Sequence, residues 1–205
     1  MVKYKPDGEV CRAFIKDNAR RTGILGPFGS GKSVGCIMKI FVKSTQQEPD
    51  KQKRRRTRWA IIRNTYPELK ETTAKTWKDW FGQGFGQFIE APPFEHRMKY
   101  RMGDGTTVDA EVLFLALDRE DHVKKLLSLE LTGAYVNEAR EIRKPIIDAL
   151  DGRIGRYPSM KDGGPSWYGM FFDSNMPDED HWIAEANESP DWSIHLQPGG
   201  VIKGA

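Results

Sequence analysis

Residues 26–33 have the composition and spacing of a loop that holds the phosphates of a nucleotide. They read Gly-Pro-Phe-Gly-Ser-Gly-Lys-Ser, a glycine followed by four residues and then Gly-Lys-Ser. Glycines let the backbone turn tightly enough for successive N–H groups to point at phosphate oxygens. Lys32 then reaches the β- and γ-phosphates, and the Ser33 hydroxyl ligates Mg²⁺. The sequence therefore predicts that a nucleoside triphosphate and Mg²⁺ bind to Gly26, Pro27, Phe28, Gly29, Ser30, Gly31, Lys32 and Ser33.

The flanking residues favour this interpretation. Residues 21–25 are typical of a short buried strand that leads into the loop. Apolar residues follow at helical spacing, at Val34, Ile37, Met38, Phe41 and Val42. The order of strand, glycine-rich loop and amphipathic helix is the context that a phosphate-binding loop requires. An incidental glycine-rich turn that happens to contain a lysine is the less favoured alternative.

Hydrolysis also needs a group that orients or deprotonates water, and an acid at the end of a strand near Mg²⁺ supplies it. Residues 134–138 read Ala-Tyr-Val-Asn-Glu, which predicts such a strand with Glu138 as the catalytic base and, beside Ser33 and Asn137, as a Mg²⁺ ligand partly through water. We expect this strand to lie adjacent to the strand of the phosphate loop. Asn137 stands where an acid is usual, and its amide oxygen can accept a hydrogen bond from a magnesium-bound water. The alternative is that Glu138 is an acid favoured by a helix dipole.

Asn175 follows a later predicted strand, where its side chain could hydrogen-bond the γ-phosphate and respond to its loss. A purely local role in an Asn-Met-Pro turn is an equal alternative. Arginines can stabilise the charge of the transition state, and the sequence does not choose among several. The candidates are Arg140, Arg143, Arg153 and Arg156.

Composition limits the class of protein. The chain has 205 residues, 38% of them hydrophobic, a net charge of +3 and two cysteines without metal or disulfide spacing. No window of about 18 apolar residues occurs and the N-terminus is polar, so we expect neither a membrane span nor a signal peptide. These features predict an intracellular protein with a single domain over residues 1–205.

A basic cluster lies between residues 51 and 63, a segment without acidic residues. Such a cluster is typical of a contact with a polyanion. A solvated loop is an equal alternative on the sequence alone. The candidates for DNA contact are Lys51, Lys53, Arg54, Arg55, Arg56 and Arg58.

Strands and helices alternate along the chain, which predicts an α/β fold with a mainly parallel central sheet flanked by helices on both faces. Residues 96–112 change to the period of strands around a Gly-Asp-Gly turn and predict an added β-hairpin. Thr65 and Glu68 have the spacing of a capping box before the next helix. Asp118 is expected to cap a further short helix.

In this order and spacing, the motifs at residues 26–33, 62–65, 112–118, 133–139 and 173–182 resemble the ATPase domain of the large terminase subunit of tailed bacteriophages. The resemblance implies a P-loop NTPase fold of the ASCE type, with ATP and Mg²⁺ as cofactors. It also implies a motor that moves double-stranded viral DNA into the procapsid. The implied partners are double-stranded DNA, the portal protein, the small terminase subunit and further copies of the chain, in a ring commonly of five, with monomers in solution. The implied location is the host cytoplasm, and transiently the procapsid.

The resemblance implies phosphate-loop roles for Lys32 and Ser33, a Walker B catalytic role for Glu138, and a coupling role for residues 174–175. Phe28 departs from it, because many terminases carry an arginine there, and Asn137 replaces the usual Walker B aspartate. Residues 124–130 show no clear match to the arginine that some relatives insert into a neighbouring subunit. The family also carries a nuclease domain after the motor, and we expect no nuclease activity from a chain that ends at Ala205.

Three other classes are compatible with a phosphate loop. A kinase for a small metabolite needs an acceptor pocket and a lid, for which the sequence offers no recognisable segment. A GTPase switch needs a guanine-reading Asn-Lys-x-Asp string, which is absent. A weakly hydrolysing nucleotide-binding module remains an alternative because of Asn137.

Overall fold

A mostly parallel sheet crosses the protein, whose computed structural model describes residues 3–82, 84–91, 93–117 and 120–199. Within these residues the strands are β1 (Arg21–Leu25), β2 (Arg54–Arg63), β3 (Gly86–Ile89), β4 (Glu95–Arg101), β5 (Thr107–Ala116), β6 (Gly133–Val136), β7 (Gly169–Ser174) and β8 (Ser193–Leu196). The α-helices are α1 (Gly8–Lys16), α2 (Lys32–Gln46), α3 (Tyr66–Glu68), α4 (Lys75–Phe81), α5 (Glu120–Leu127), α6 (Lys144–Asp151) and α7 (Trp182–Glu188). A π-helical segment, Leu69–Ala74, joins α3 to α4, and Ala139–Glu141 and Met160–Asp162 are 3-10 turns.

The strand order in the described sheet is β3-β4-β5-β2-β6-β7-β1-β8. β3, β4 and β5 pair in antiparallel fashion, and all other pairs are parallel. The predicted α/β fold and the hairpin at residues 96–112 are confirmed, the hairpin as β4 and β5. Because the parallel strands share one direction, their carboxyl ends meet at one edge of the sheet, the usual ligand-binding edge of such folds.

The position of the strand that carries Glu138 differs from the prediction. We expected it beside the strand of the phosphate loop, but β7 lies between β6 and β1 and pairs with both. The sequence could not show it, because β7 comes after β6 in the chain and its place is decided by pairing across the sheet.

The sheet is buried on both faces. Side chains of a strand alternate between faces, so Trp59 and Ile61 of β2 pack into one core while Ala60 and Ile62 pack into the other. The first core is completed by residues of α1, α2 and α4 such as Phe14, Ile37 and Trp77, and the second by residues of α5, α6 and α7 such as Leu126, Ile147 and Ile183. Helices therefore cover both faces, as predicted.

Three local predictions differ from the structure or lie outside it. The basic segment is not a loop beyond Lys53, because β2 begins at Arg54. Thr65 does not form a capping box with backbone groups, since its hydroxyl donates to the carboxylate of Glu68 at 2.8 Å. The predicted cap Asp118 lies outside the described residues.

Lys39 of α2 is completely buried in the first core. Its ammonium donates to the carbonyl of Phe14 at 2.8 Å and to the hydroxyl of Thr22 at 2.9 Å, and it lies 4.3 Å from the centre of the Phe14 ring. Burial lowers the pKa of Lys39 to about 7, although the charge of Asp17 opposes the shift. The side chain thus ties α1 and β1 beneath α2 at the cost of a desolvated amine.

This pKa has a consequence for stability. The pKa is about 7 in the folded protein against 10.5 for an ordinary lysine, so the unfolded chain binds more protons between these values. Within that window, the stability contributed by this group therefore rises by about 1.4 kcal/mol per pH unit. Below the window it no longer changes with pH. We expect the free energy of unfolding of the wild type, minus that of Lys39→Met, to increase from pH 8 to pH 9 in urea titrations. A difference that is constant with pH would contradict the assigned pKa.

Candidate nucleotide-binding site

The phosphate loop occupies the turn between β1 and α2. Gly31 has a φ of 78°, and a Cβ atom there would collide with the carboxylate of Asp7. A Cβ atom on Gly26 would collide with the backbone carbonyl of Gln197. Both glycines are therefore required by backbone conformation or by close approach of neighbouring chain. The loop is followed at once by the first turn of α2, so its N–H groups lie at the positive end of a helix.

Lys32 and Asn175 lie together. The buried Lys32 ammonium donates to the Pro27 carbonyl within the loop at 2.8 Å and to the Asn175 side-chain oxygen at 3.3 Å. Asn175 directly follows β7, so the strand inserted between β1 and β6 brings it to the loop. The sequence predicted both residues for the site, and the fold brings them into contact.

Asp173 of β7 lies at the centre of the site. Its side chain is completely buried and accepts a hydrogen bond from the Ser33 hydroxyl. The Glu138 backbone N–H donates to its Oδ1 at 2.9 Å, and the Asn137 amide donates to its two oxygens at 2.9 and 3.2 Å. One carboxylate thereby connects α2, the end of β6 and the end of β7.

Asp173 is the first residue of the motif at residues 173–182, but the sequence did not indicate a role for it. A signal was present, since it is an acid near the end of a wholly buried strand, two residues before the predicted Asn175. What the sequence could not supply was the distance to Ser33, which lies 140 residues earlier in the chain.

Asn137 has a different arrangement from the predicted one. Its amide oxygen accepts a hydrogen bond from the Thr73 hydroxyl at 2.6 Å, and its amide nitrogen points to Asp173. The oxygen that was expected to accept from a magnesium-bound water is therefore engaged elsewhere. Thr73 belongs to the π-helical segment Leu69–Ala74, which shows that this irregular helix contacts the site directly.

Glu138 has a strained backbone and a perturbed carboxyl group. Its φ of 51° is in the left-handed region, which non-glycine residues seldom adopt and which is often found at functional sites. Burial, together with the charge of Asp173, raises the pKa of Glu138 above its ordinary value of 4.5, while Arg63 and Lys32 oppose the shift. A carboxylate with a raised pKa is better suited to accept a proton near neutral pH.

The donor set fits Mg²⁺. Ser33, Asp173 and Glu138 offer hydroxyl and carboxylate oxygens, the ligands that this hard cation prefers. The described residues contain no group of three His, Cys, Asp or Glu side chains that could enclose a metal ion by themselves. That is the expected situation for an ion whose remaining ligands are phosphate oxygens and waters.

The arginine candidates separate into two groups. Arg140 and Arg143 follow Glu138 closely and are exposed on the site's edge of the sheet. Arg153 and Arg156 exchange backbone hydrogen bonds with Leu131, which precedes β6. At about 3.3 Å per strand residue they lie roughly 20 Å from Glu138, so they do not reach the site of their own chain.

Arg63 is a charged residue near the site that sequence reasoning missed. It is the last residue of β2 and is buried, with ion-pair distances of 3.6 Å to Glu68 and 3.5 Å to Glu141. Its charge also acts on the Glu138 carboxyl group. In the sequence, Arg63 belongs to the basic cluster. In the structure, β2 runs from one edge of the sheet to the other, so Arg63 and Arg54 lie at opposite edges.

The remaining arginines of the basic cluster are paired. They lie on the first half of β2, at the edge of the sheet away from the phosphate loop, and each has an acidic partner. The pairs are Arg54 with Asp50, Arg55 with Asp104, Arg56 with Asp162 and Arg58 with Glu111, at 2.9, 2.8, 3.5 and 2.5 Å. Arg58 also lies 4.2 Å from the centre of the Tyr157 ring. Their charges are thus largely compensated, while Lys51 and Lys53 are exposed.

Comparison with solved structures identifies the fold. A large terminase from a thermophilic bacteriophage, in complex with ADP, superposes with a TM-score of 0.68 at 9% identity, over 94% of this chain and 45% of that one. The large terminase ATPase domain of Thermus phage P74-26 gives a TM-score of 0.62 at 16% identity, over 94% of this chain and 81% of that one. The HK97 bacteriophage large terminase gives 0.59 at 13% identity, over 90% and 37%.

The resemblance predicted from the motifs is thereby confirmed as a match in fold to large terminase ATPase domains. The large terminase of the thermophilic bacteriophage has also been solved in complex with ATPγS. The chain spans less than half the length of that protein and of the HK97 large terminase. No protein-family model and no curated protein matches the sequence. Among the described residues, no helix is both long and apolar enough to cross a bilayer.

The backbone of Glu138 makes a prediction about stability. Asparagine tolerates the left-handed conformation better than glutamine, and neither carries the charge of glutamate. We expect Glu138→Asn to be more stable than Glu138→Gln by about 1 kcal/mol, because the two differ chiefly in the cost of a positive φ. Urea unfolding of both variants measures this difference. Equal stabilities would show that the site does not impose strain at this residue.

Proposed function

We propose that the chain is the ATP-hydrolysing motor domain of a DNA-packaging terminase. The observation that carries the proposal is the meeting of Lys32, Ser33, Glu138 and Asn175 around Asp173, at the carboxyl edge of a sheet with the terminase ATPase fold. The solved ADP and ATPγS complexes of the thermophilic bacteriophage large terminase support ATP as the nucleotide.

The proposed mechanism assigns one task to each group. The N–H groups of the loop and the Lys32 ammonium bind the phosphates, and Ser33 with an adjacent carboxylate would hold Mg²⁺. When bound, Mg²⁺ neutralises charge that develops on the phosphate oxygens. The Glu138 carboxylate orients the attacking water and accepts its proton. Its raised pKa keeps the proton affinity of this group higher than that of an exposed glutamate.

Asn175 can couple ATP hydrolysis to a movement of the turn that follows β7. Its oxygen accepts from Lys32 at 3.3 Å in the structure, so Lys32 can exchange this bond for the γ-phosphate. Loss of the γ-phosphate would return Lys32 to Asn175 and shift the turn after β7. This supports the coupling role that the resemblance implied for residues 174–175.

Two alternative functions are to be distinguished from the proposed one by experiment. A weakly hydrolysing module was suggested by Asn137, but the buried carboxylate of Asp173 supplies the negative charge that Asn137 lacks. A small-molecule kinase would transfer the γ-phosphate to an acceptor and release little free phosphate. The proposed partners remain double-stranded DNA, the portal protein, the small terminase subunit and a ring of identical chains.

Steady-state phosphate release from ATP, with and without duplex DNA, tests the proposed activity. We expect Lys32→Ala to abolish both turnover and nucleotide binding, because the phosphate-binding charge is lost. We expect Glu138→Gln to retain binding and to lower kcat by at least about 100-fold, the usual contribution of a general base. Glu90→Gln, which neutralises an exposed carboxylate on the β3–β4 connection, is the matched control. Turnover of Glu138→Gln at the wild-type rate would reject the assigned base.

The basic segment makes a separate prediction about DNA. Because Arg54, Arg55, Arg56 and Arg58 are paired with acids, we expect DNA affinity to depend on the exposed Lys51 and Lys53. Changing both lysines to glutamine should reduce the slope of log affinity against log salt by about 2, one for each phosphate contact. Lys70→Gln with Lys75→Gln removes the same charge from the helical segment after β2 and should leave the slope unchanged. Equal slopes for all three proteins would assign the segment a structural role only.

A further inference from the structure

The phosphate-loop hydroxyl has a partner that the sequence motif does not predict. In P-loop NTPases the Mg²⁺ ion is held by the loop Ser or Thr and by a Walker B aspartate at the end of a neighbouring strand. In this chain that strand position is Asn137, which carries no charge. The Ser33 hydroxyl instead donates to Asp173, on β7.

We propose that Asp173 takes the place of the Walker B aspartate and holds Mg²⁺ together with Ser33, and that Asn137 is a positioning residue for it. The carboxylate that would hold the metal therefore lies on the inserted strand β7, and not at the end of β6 where the motif predicts it. This inference rests on the proposed nucleotide site. It gives Asn137 a role that differs from the predicted one, and it gives Asp173 a role that the sequence did not assign.

The orientation of Asn137 follows from its neighbours. Its nitrogen faces both oxygens of Asp173, at 2.9 and 3.2 Å, whereas a rotated amide would set its oxygen against a carboxylate. The Thr73 hydroxyl donates to the amide oxygen at 2.6 Å and holds it in this orientation. Asn137 therefore acts as a donor to Asp173 and has its acceptor occupied.

The two oxygens of Asp173 are used differently. Oδ1 accepts from the Glu138 N–H and from Asn137, each at 2.9 Å, so it is fixed by the protein. Oδ2 accepts from the Ser33 hydroxyl and more distantly from Asn137. Since the loop hydroxyl of Ser33 is the expected Mg²⁺ ligand, the carboxylate oxygen in contact with it, Oδ2, is the one that would hold the ion.

Electrostatics explains why asparagine accompanies this change. An aspartate at position 137 would put a second carboxylate within hydrogen-bond distance of Asp173, in a buried place, and two such groups cannot both ionise cheaply. Asparagine preserves the hydrogen bond and avoids the repulsion. The site thus keeps one carboxylate for the metal and one, Glu138, for the base.

The placement on β7 has a mechanical implication. Asp173 is two residues from Asn175, so the group that holds the metal and the group that contacts Lys32 lie at the end of the same strand. Release of the γ-phosphate would then act on β7 at two points.

The test compares Asp173→Asn with the exchanged double variant, which carries both Asn137→Asp and Asp173→Asn. The measurement is the affinity for a fluorescent ATP analogue in Mg²⁺ and in EDTA, and the stoichiometry of Mn²⁺ bound with ATP by electron paramagnetic resonance. We expect Asp173→Asn to retain binding in EDTA and to lose at least about 10- to 100-fold of the metal-dependent affinity, the usual cost of removing even an outer-shell partner of a metal site. The exchanged variant should recover most of this loss.

The outcomes are distinguishable. If Asp173→Asn keeps the wild-type metal dependence, the inference is overturned while the proposed ATPase stands. If the wild type itself binds no nucleotide, the proposed function and the inference both fall. Should Asp173→Asn not fold, as judged by circular dichroism, the exchanged variant decides. This variant restores the same pair of groups, and metal-independent binding by its folded form would overturn the inference. Thr73→Val should weaken metal-dependent affinity in the wild type, because Asn137 loses its anchor, and should have a smaller effect in Asp173→Asn.

Discussion

The buried carboxylate of Asp173 is the interaction on which the geometry of the site depends. An ionised group inside a protein is tolerated only when donors replace the water that it has lost. Here the donors come from three places, the Ser33 hydroxyl, the Asn137 amide and the Glu138 backbone N–H. Each bond constrains a different element, so the phosphate loop and the ends of β6 and β7 cannot move independently. The left-handed backbone of Glu138 is consistent with this constraint, because its N–H must turn toward β7.

Charge is divided between the two edges of the sheet. At the carboxyl edge, Lys32 and Arg63 lie near the acidic groups and oppose the rise in the pKa of Glu138. At the other edge, the basic half of β2 is matched by acids from several loops, and it stabilises the start of the strand. The basic residues that are continuous in the sequence are therefore separated in this fold into two groups, one at each edge of the sheet. Lys51 and Lys53 are the most exposed basic residues of the basic cluster.

The helical segment after β2 links the core to the site. Trp77 of α4 is buried with its ring nitrogen donating to His96 at 2.8 Å, which fixes the segment on the sheet. Burial lowers the pKa of His96 to about 4, so this imidazole is neutral and able to accept that hydrogen bond at neutral pH. From this anchored position the π-helical turn presents Thr73 to Asn137. Irregular helical turns of this kind are frequent at functional sites.

The sequence by itself determined the features that depend on neighbours along the chain. The phosphate loop, the helix after it, the hairpin at residues 96–112 and the buried run before Asn175 are local patterns of spacing and side-chain type. The motif order was also sufficient to predict the terminase ATPase fold. The local predictions were possible because hydrogen bonding in a loop and alternation in a strand act over a few residues, whereas the terminase fold was predicted from the resemblance of the ordered motifs to a known family.

The tertiary structure alone decided which charges meet. Strand pairing inserted β7 between β1 and β6, which brought Asp173 to Ser33 and gave Asn137 a carboxylate to donate to. The same pairing separated Arg63 from the rest of its cluster, and folding supplied acids for the others. Electrostatic and hydrogen-bond energies depend on distances between residues that are far apart in sequence. For that reason the motif at residues 137–138 suggested a weakened metal site, whereas the fold places a buried carboxylate beside the loop hydroxyl.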